Sequence, residues 1–170
     1  MADTTILSWI SAEVDQALER VRAQIASYAA TPQDTSVLGN CPEHLHQVSG
    51  ALSMVGLSGA TRFCEVLEKS FSGLSADAAS KVSRIDAAVV QLKKFVDDLV
   101  HGQPNVALRL YPAYRDIVEL SGRADASEVE LFFPDLTPPA PSHPVPRGEE
   151  EVELRSFLNA SRTQIGRAHV

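Results

Sequence analysis

Apolar residues recur at intervals of three and four along most of the first 121 residues, and this spacing constrains the fold more than any other feature. It gives each segment one apolar stripe, as in a helix that packs on one side. Short connections between such helices favour antiparallel neighbours. The sequence therefore predicts an all-α fold, an antiparallel up-down helical bundle with an extra C-terminal helical segment. The predicted helices cover residues 5–30, 40–55, 58–73, 76–101 and 106–121.

Glycine, proline and small polar residues predict where these helices begin and end. Gly39 and Pro42 are unfavourable inside a helix, so the regular part of the second helix should begin with Asn40 as its cap. Residues 35–38 then form a separate turn. Ser58 is predicted to cap the third helix, and Pro112 is predicted to kink or split the last one.

Composition narrows the class of partner and the cell compartment. The net charge is −7, and the sequence has no stripe of Lys and Arg that could replace the counterions of nucleic-acid phosphates. No nucleic-acid partner is therefore expected. No apolar run approaches the roughly 20 residues that span a bilayer, so membrane insertion is not expected either. The two cysteines are too few for a disulfide framework. These features predict a cytoplasmic chain with reduced thiols and a folded partner or a small solute as its target.

The chain divides into four predicted parts. Residues 1–123 form the bundle, and residues 124–148 form a proline-rich linker whose densest part is PDLTPPAPSHPVP. Helical patterning resumes over residues 149–164 but stops before it could bury its apolar face, as at the truncated start of a further helical domain. The last six residues, 165–170, match the translation of a short-read sequencing adapter and are interpreted as an artefact.

The stretch HLHQVSGALSMVG carries the most informative polar residues of the chain. At helical spacing its leucines and valines share one face, and a histidine with small polar residues lies on another. An exposed histidine on a rigid helix with small neighbours has the properties of a phosphoryl acceptor. His46 is therefore the candidate phosphoacceptor. The candidate docking face around it consists of Gln47, Ser49, Gly50 and Ser53.

The spacing of this stretch, His46-x-Val-Ser-Gly-Ala and then Val-Gly, resembles the motif of histidine phosphotransfer domains. Those domains usually have a lysine three residues after the histidine, and this chain has Ser49 there. A lysine at this position would offset the negative charge of a phosphoryl group, whereas a serine can offer only a neutral hydrogen bond. Lys93, Lys94 or Arg62 remain as cations that another helix could supply.

A second resemblance covers residues 5–136 and rests on several separated stretches. They are ILSWISAEVDQALERVRAQI, TPQD, HLHQVSGALSMVGLSGATRFCEVLE and FFPDL. Together they resemble the N-terminal domain of the chemosensory-pilus hybrid histidine kinases, the CheA-like kinases of twitching motility, and the related FimL scaffolds. The resemblance implies a fold of the histidine phosphotransfer type, used as an interaction module in a signalling array at the cell pole. The implied partners are a receiver domain, a kinase core or a pilus-regulatory scaffold protein.

The residues leave two classes of function open. No nucleotide-binding loop, zinc-protease motif or nucleophile elbow occurs, so the fragment is not expected to be an enzyme, although its full-length parent would be a histidine kinase. No cofactor or metal is expected, because His44 and His46 of the C-x-x-H-x-H stretch lie about 200° apart on a helix. The favoured function is docking. The alternative is a working phosphocarrier that passes a phosphoryl group from His46 to a receiver aspartate.

Two further residues have structural interpretations. Trp9 is predicted to lie in the core or at an interface, because a large indole ring is seldom left in water without a partner. Cys64, on the third predicted helix, is interpreted as a small buried hydrophobe.

Overall fold

A computed structural model describes residues 4–32, 34–72, 74 and 78–134. All regular structure in these residues is helical, which confirms the predicted all-α class. The α-helices are α1 (Thr4–Ala30), α2 (Cys41–Met54), α3 (Ser58–Ser70), α4 (Ala79–Val100) and α5 (Tyr111–Leu120). Single 3-10 turns occupy Thr35–Leu38, Ala107–Leu110 and Glu128–Leu131. In the part of the chain that the structure describes, no helix has the length and apolarity to span a membrane.

The breaks at 35–38 and at Pro112 follow the sequence prediction. Asp34 caps the separate turn at Thr35–Leu38 by accepting a hydrogen bond from the backbone N–H of Ser36. Pro112 splits the last helical stretch into a 3-10 turn and α5, where it occupies the first turn. A proline at that position removes a backbone N–H that would have no intrahelical acceptor.

Asn40 occupies the predicted cap position before α2, but its predicted side-chain cap and the cap predicted at Ser58 are wrong. Asn40 has φ −93° and ψ −6° and makes no side-chain cap bond. Its backbone is close to helical, whereas a side-chain cap needs an extended one. Ser58 is the first residue of α3, and the buried Leu57 precedes it. The turn between α2 and α3 is instead closed by a hydrogen bond from Leu57 N–H to the Leu52 carbonyl.

The helices bury their apolar stripes against one another, with α2 packed on α1 and α3, and α4 packed on α1. Contacts along α1 and α4 run in opposite directions: Nζ of Lys93 lies 3.0 Å from Oδ1 of Asp15, and Nε of Arg22 lies 3.2 Å from Oδ1 of Asp86. As the residue number rises on α1, the number of its partner on α4 falls. The two helices are therefore antiparallel.

The predictions of burial for Trp9 and Cys64 have opposite outcomes. Trp9 is 83% exposed near the start of α1, so of its two predicted positions the core is wrong, and the interface stays a prediction. The described residues supply no element that covers this end of α1. Cys64 is fully buried, as predicted, and its Sγ donates to the Leu45 carbonyl at 3.1 Å.

The start of the predicted linker packs on the bundle. Residues 124–134 belong to the compact unit that ends at Pro134. They include the 3-10 turn at Glu128–Leu131, whose Leu131 side chain is 1% exposed, and the turn contacts α3. The boundary predicted at residue 123 therefore lies too early for this segment. The remaining linker, the helical pattern at 149–164 and the six residues at 165–170 lie outside the described residues.

Candidate functional site

His46 lies near the middle of α2, on the side opposite the core. Its neighbours Leu45 and Val48, and Leu52 farther along the helix, are at most 1% exposed and fix α2 against the bundle. The His46 side chain is 79% exposed. Burial of the predicted apolar face thus fixes α2 in the bundle, and the imidazole on its opposite side is accessible to a partner.

The predicted docking face is exposed at three of its four residues. Gln47 and Ser53 are exposed, and Gly50 is exposed with no atom of the described residues within 4 Å of the position that a Cβ atom would take. Ser49 is only 8% exposed, so it is not a surface contact and this part of the predicted face is corrected. The helix turns Ser49 toward α3, and the open surface next to the histidine is provided by Gly50. We call Gln47, Gly50 and Ser53, together with His46, the α2 face.

A carboxylate from the neighbouring helix contacts the imidazole. Nδ1 of His46 lies 3.4 Å from Oε2 of Glu68 on α3. This is a long hydrogen bond, with Nδ1 as the donor whenever that nitrogen carries a proton. The arrangement leaves Nε2 as the ring nitrogen that faces a partner. A phosphoryl group on His46 would lie close to a negative charge, which raises the free energy of the phosphorylated state.

None of the three cations considered from the sequence contacts the histidine. Lys93 is paired with Asp15 on α1. Nη2 of Arg62 lies 3.2 Å from Oε2 of Glu130, in the 3-10 turn at Glu128–Leu131. Lys94 lines a groove between α4 and the 3-10 turn that precedes α5. Among the residues that the structure describes, Glu68 is the charged group in contact with the imidazole.

Cys41, His44 and His46 have different surroundings. Sγ of Cys41 is fully buried and donates to Oε1 of Gln24 at 2.9 Å, and burial raises the pKa of this thiol to about 12. His44 is half-buried, with its Nδ1 unpaired, whereas His46 is exposed. No group of three or more His, Cys, Asp or Glu side chains in the described part of the chain is placed to hold a metal ion.

A polar cluster that the sequence analysis did not find centres on Glu130. The Tyr114 hydroxyl donates to Oε2 of Glu130 at 2.6 Å, Arg62 pairs with the same oxygen, and Nη2 of Arg123 lies 3.3 Å from Oε1. The hydrogen bond from Tyr114 is the main cause that lowers the pKa of Glu130 to about 2. Burial, followed by this bond, raises the pKa of Tyr114 to about 12. We call these four residues the Glu130 cluster.

The Glu130 cluster had one signal in the sequence. Ser127 and Glu130 form a capping box, in which Ser127 caps the turn and the Glu130 side chain accepts from the Ser127 backbone N–H. The S-x-x-E spacing indicates such a turn, but the prolines that follow it favour a linker, which is the prediction for this segment. The cluster fixes the 3-10 turn to α3 and α5 and includes no residue of α2.

Comparison with known proteins gives one family. The family model described as the FimL C-terminal domain matches residues 4–100. This range begins where α1 begins and ends where α4 ends, so it includes the α2 face and the two helices, α1 and α3, on which α2 packs. No curated protein and no solved structure matches the chain.

Proposed function

The chain belongs to the FimL C-terminal domain family, whose model matches more than half of it, and from this premise we propose that it is a signalling scaffold domain. The proposed fold is a degenerate form of the histidine phosphotransfer bundle. The proposed setting is the N-terminus of a chemotaxis-like two-component kinase that controls type IV pili and twitching motility. In this proposal the chain acts by docking another signalling protein on its α2 face and performs no catalysis.

The charged groups around His46 are the observation that favours docking over phosphotransfer. Glu68 contacts the imidazole, Ser49 stands where a lysine is usual, and Lys93 and Arg62 are paired elsewhere. A phosphoryl group brings nearly two negative charges at neutral pH. With a carboxylate beside the histidine, and no cation from the described residues in contact with it, the phosphorylated state would lack its usual electrostatic stabilisation.

The shape of the α2 face supports docking by itself. Gly50 leaves open space one turn from His46, so the backbone of a partner can approach the helix closely. Met54, which is 80% exposed, adds an adaptable apolar contact at the end of the same helix. A rigid helix with open space at Gly50 and one exposed apolar side chain, Met54, can accommodate a helix or loop of another protein.

A phosphotransfer assay separates the two functions. The purified chain is incubated with labelled ATP and the kinase core of its parent, and acid-labile label is measured on the wild type and on His46→Gln. We expect essentially no label on either protein, and His46→Gln should fold and bind its partner. Stoichiometric label on the wild type that is absent from His46→Gln would replace docking by the phosphocarrier function.

A binding experiment tests the position of the docking face. Gly50→Leu fills the open space on α2, and Ala23→Leu adds the same side chain at an exposed position of α1. Calorimetry with the parent's receiver domain and kinase core should show binding to one of them that Gly50→Leu weakens by about tenfold, the loss typical of one disrupted contact. Ala23→Leu should leave the affinity unchanged. Equal affinities for both variants would place the docking surface elsewhere.

A further inference from the structure

The α2 face lies in a long stretch of the chain without lysine or arginine. The chain has 15 of these residues, and none of them falls within residues 23–61, which hold the whole of α2. On α1, just before this stretch, Arg22 pairs with a carboxylate of α4, and Arg20 hydrogen-bonds to Gln16. The exposed side of α2 therefore carries no permanent positive charge.

The basic residues of α3 lie on the side that faces the last 3-10 turn. Arg62 pairs with Glu130 of that turn, and Lys69 follows Arg62 by seven residues, which is two turns along the same side of a helix. Glu68 instead contacts His46 of α2. The cations of α3 thus lie on a different side of this helix from the carboxylate that borders the α2 face.

Two carboxylates border the α2 face without a lysine or arginine partner. Glu43 is exposed one turn before His46 and two turns before Gly50, and within the described residues its side chain has no ion-pair partner. Glu68 has the imidazole as its ion-pair partner in the same part of the chain, and its side chain is 29% exposed. The neighbouring Glu65, in contrast, is paired with an arginine. The N-terminal half of the α2 face therefore has an uncompensated negative charge.

The other end of the same face is apolar. Met54 is 80% exposed and lies one turn after Gly50, where the open space on α2 begins. An α-helix rises 1.5 Å per residue, so Met54 lies about 12 Å along the helix axis from His46. The face has a negative end and an apolar end, with open space between them.

We propose that the partner docks on the α2 face with a helix that carries a lysine or arginine and, seven or eight residues away, a large apolar side chain. The inference rests on the proposed docking function. The basic side chain pairs with Glu43 and Glu68, and the apolar one packs on Met54, because eight residues of the partner helix also span about 12 Å. An acidic residue in place of the basic one would meet two carboxylates and be rejected.

Charge reversal tests the basic residue of the partner. Calorimetry with the parent's receiver domain and kinase core is done in about 0.05 M and about 0.5 M salt. Glu43→Lys should weaken binding about tenfold at low salt, and the difference should shrink at high salt, which screens exposed charges. Glu128→Lys makes the same change at an exposed position of the last 3-10 turn and should leave the affinity within about twofold of the wild type.

A double-mutant cycle tests the spacing in the partner. Exposed lysines and arginines of the bound domain are replaced by alanine in combination with Glu68→Gln, which keeps the shape of the side chain. Exposed apolar residues of that domain are replaced in combination with Met54→Ala. We expect Glu68 to couple by at least twofold to one basic residue, and Met54 to couple to an apolar residue seven or eight positions away on the same helix.

The outcomes separate this inference from the function on which it rests. If neither domain binds, or if Gly50→Leu leaves the affinity unchanged, the docking function of the α2 face and this inference both fail. If Gly50→Leu weakens binding and Glu43→Lys does not, docking stands and this inference alone is overturned. Equal losses for Glu43→Lys and Glu128→Lys would also overturn it, because net charge would then be the cause. So would coupling of Glu68 and Met54 to two different helices of the partner.

Discussion

Nδ1 of His46 lies 3.4 Å from Oε2 of Glu68, so a carboxylate stands beside the imidazole where a phosphoryl group would need a cation. Lysine at position 49 would restore a cation one turn away, but Ser49 is 8% exposed, and the new side chain would have to extend along the surface between α2 and α3 to reach water. Glu68 lies on that surface and would pair with the new charge.

We therefore predict that Ser49→Lys gains phosphoryl label only when Glu68 is also changed. Ser49→Lys alone should remain nearly unlabelled by the kinase core, and the double variant with Glu68→Gln should take up label that is lost on further changing His46→Gln. Glu68→Gln alone is the control and should stay unlabelled. Full labelling of the single Ser49→Lys variant would show that Glu68 does not hold the new cation.

The two helical glycines Gly50 and Gly59 should respond in opposite directions to alanine. A Cβ at Gly59 would lie 2.3 Å from the Ala107 Cβ and 3.0 Å from the Leu131 carbonyl oxygen, so Gly59→Ala forces the C-terminal turns away from α3. We expect a loss of about 1–3 kcal/mol in the free energy of unfolding. Gly50→Ala meets no atom of the described part of the chain and should raise the free energy of unfolding by about 0.5–1 kcal/mol, because alanine favours a helix interior. Urea denaturation of both variants checks the contrast.

Leu52 is fully buried where α2 approaches the turn into α3. Leu52→Ala leaves a cavity between these helices and should lower the free energy of unfolding by about 2–5 kcal/mol. Ser53→Ala, at the exposed neighbouring position, should change it by no more than about 0.5 kcal/mol. An unchanged melting curve for Leu52→Ala would mean that α2 buries a different face.

Glu130 should make part of the free energy of unfolding depend on pH in the acidic range. Its pKa is lowered from 4.5 to about 2, first by the hydrogen bond from Tyr114, so the unfolded chain takes up this proton before the folded chain does. The contribution of the carboxylate to stability is therefore complete above pH 4.5 and is lost as the pH falls toward 2. The difference in unfolding free energy between the wild type and Glu130→Gln should shrink over that interval. Glu128→Gln, an exposed change in the same turn, should show no comparable trend; an equal trend would contradict the prediction.

Periodicity predicted the helices and most of the core because each apolar stripe is a local property of its own segment. Leu45, Val48 and Leu52 are buried as their spacing requires, and the break at Pro112 follows from its missing N–H. Ser49 lies next to that stripe, and its burial depends on how closely α3 packs. Spacing along α2 alone does not determine that distance.

The Glu130 cluster could not be predicted in the same way. Arg62 and Glu130 are 68 residues apart, and their contact depends on the path of the chain through α4 and α5. The contact of Glu68 with His46 likewise depends on the rotation of α3 against α2. Side-chain chemistry predicts that charges will be paired, and only the packing of the helices determines which partners meet.

The thiols of Cys41 and Cys64 should be inert in the folded protein. Both are fully buried, and burial raises the pKa of Cys41 to about 12 and raises that of Cys64 as well. The reactive species is the thiolate, so neither thiol should react with a disulfide reagent at pH about 8 until the chain opens. Both should react in urea. Ser53→Cys, at an exposed position of α2, is the positive control and should react at once. A wild-type thiol that reacts under native conditions as fast as this control would show that α2 or α3 opens readily from the bundle.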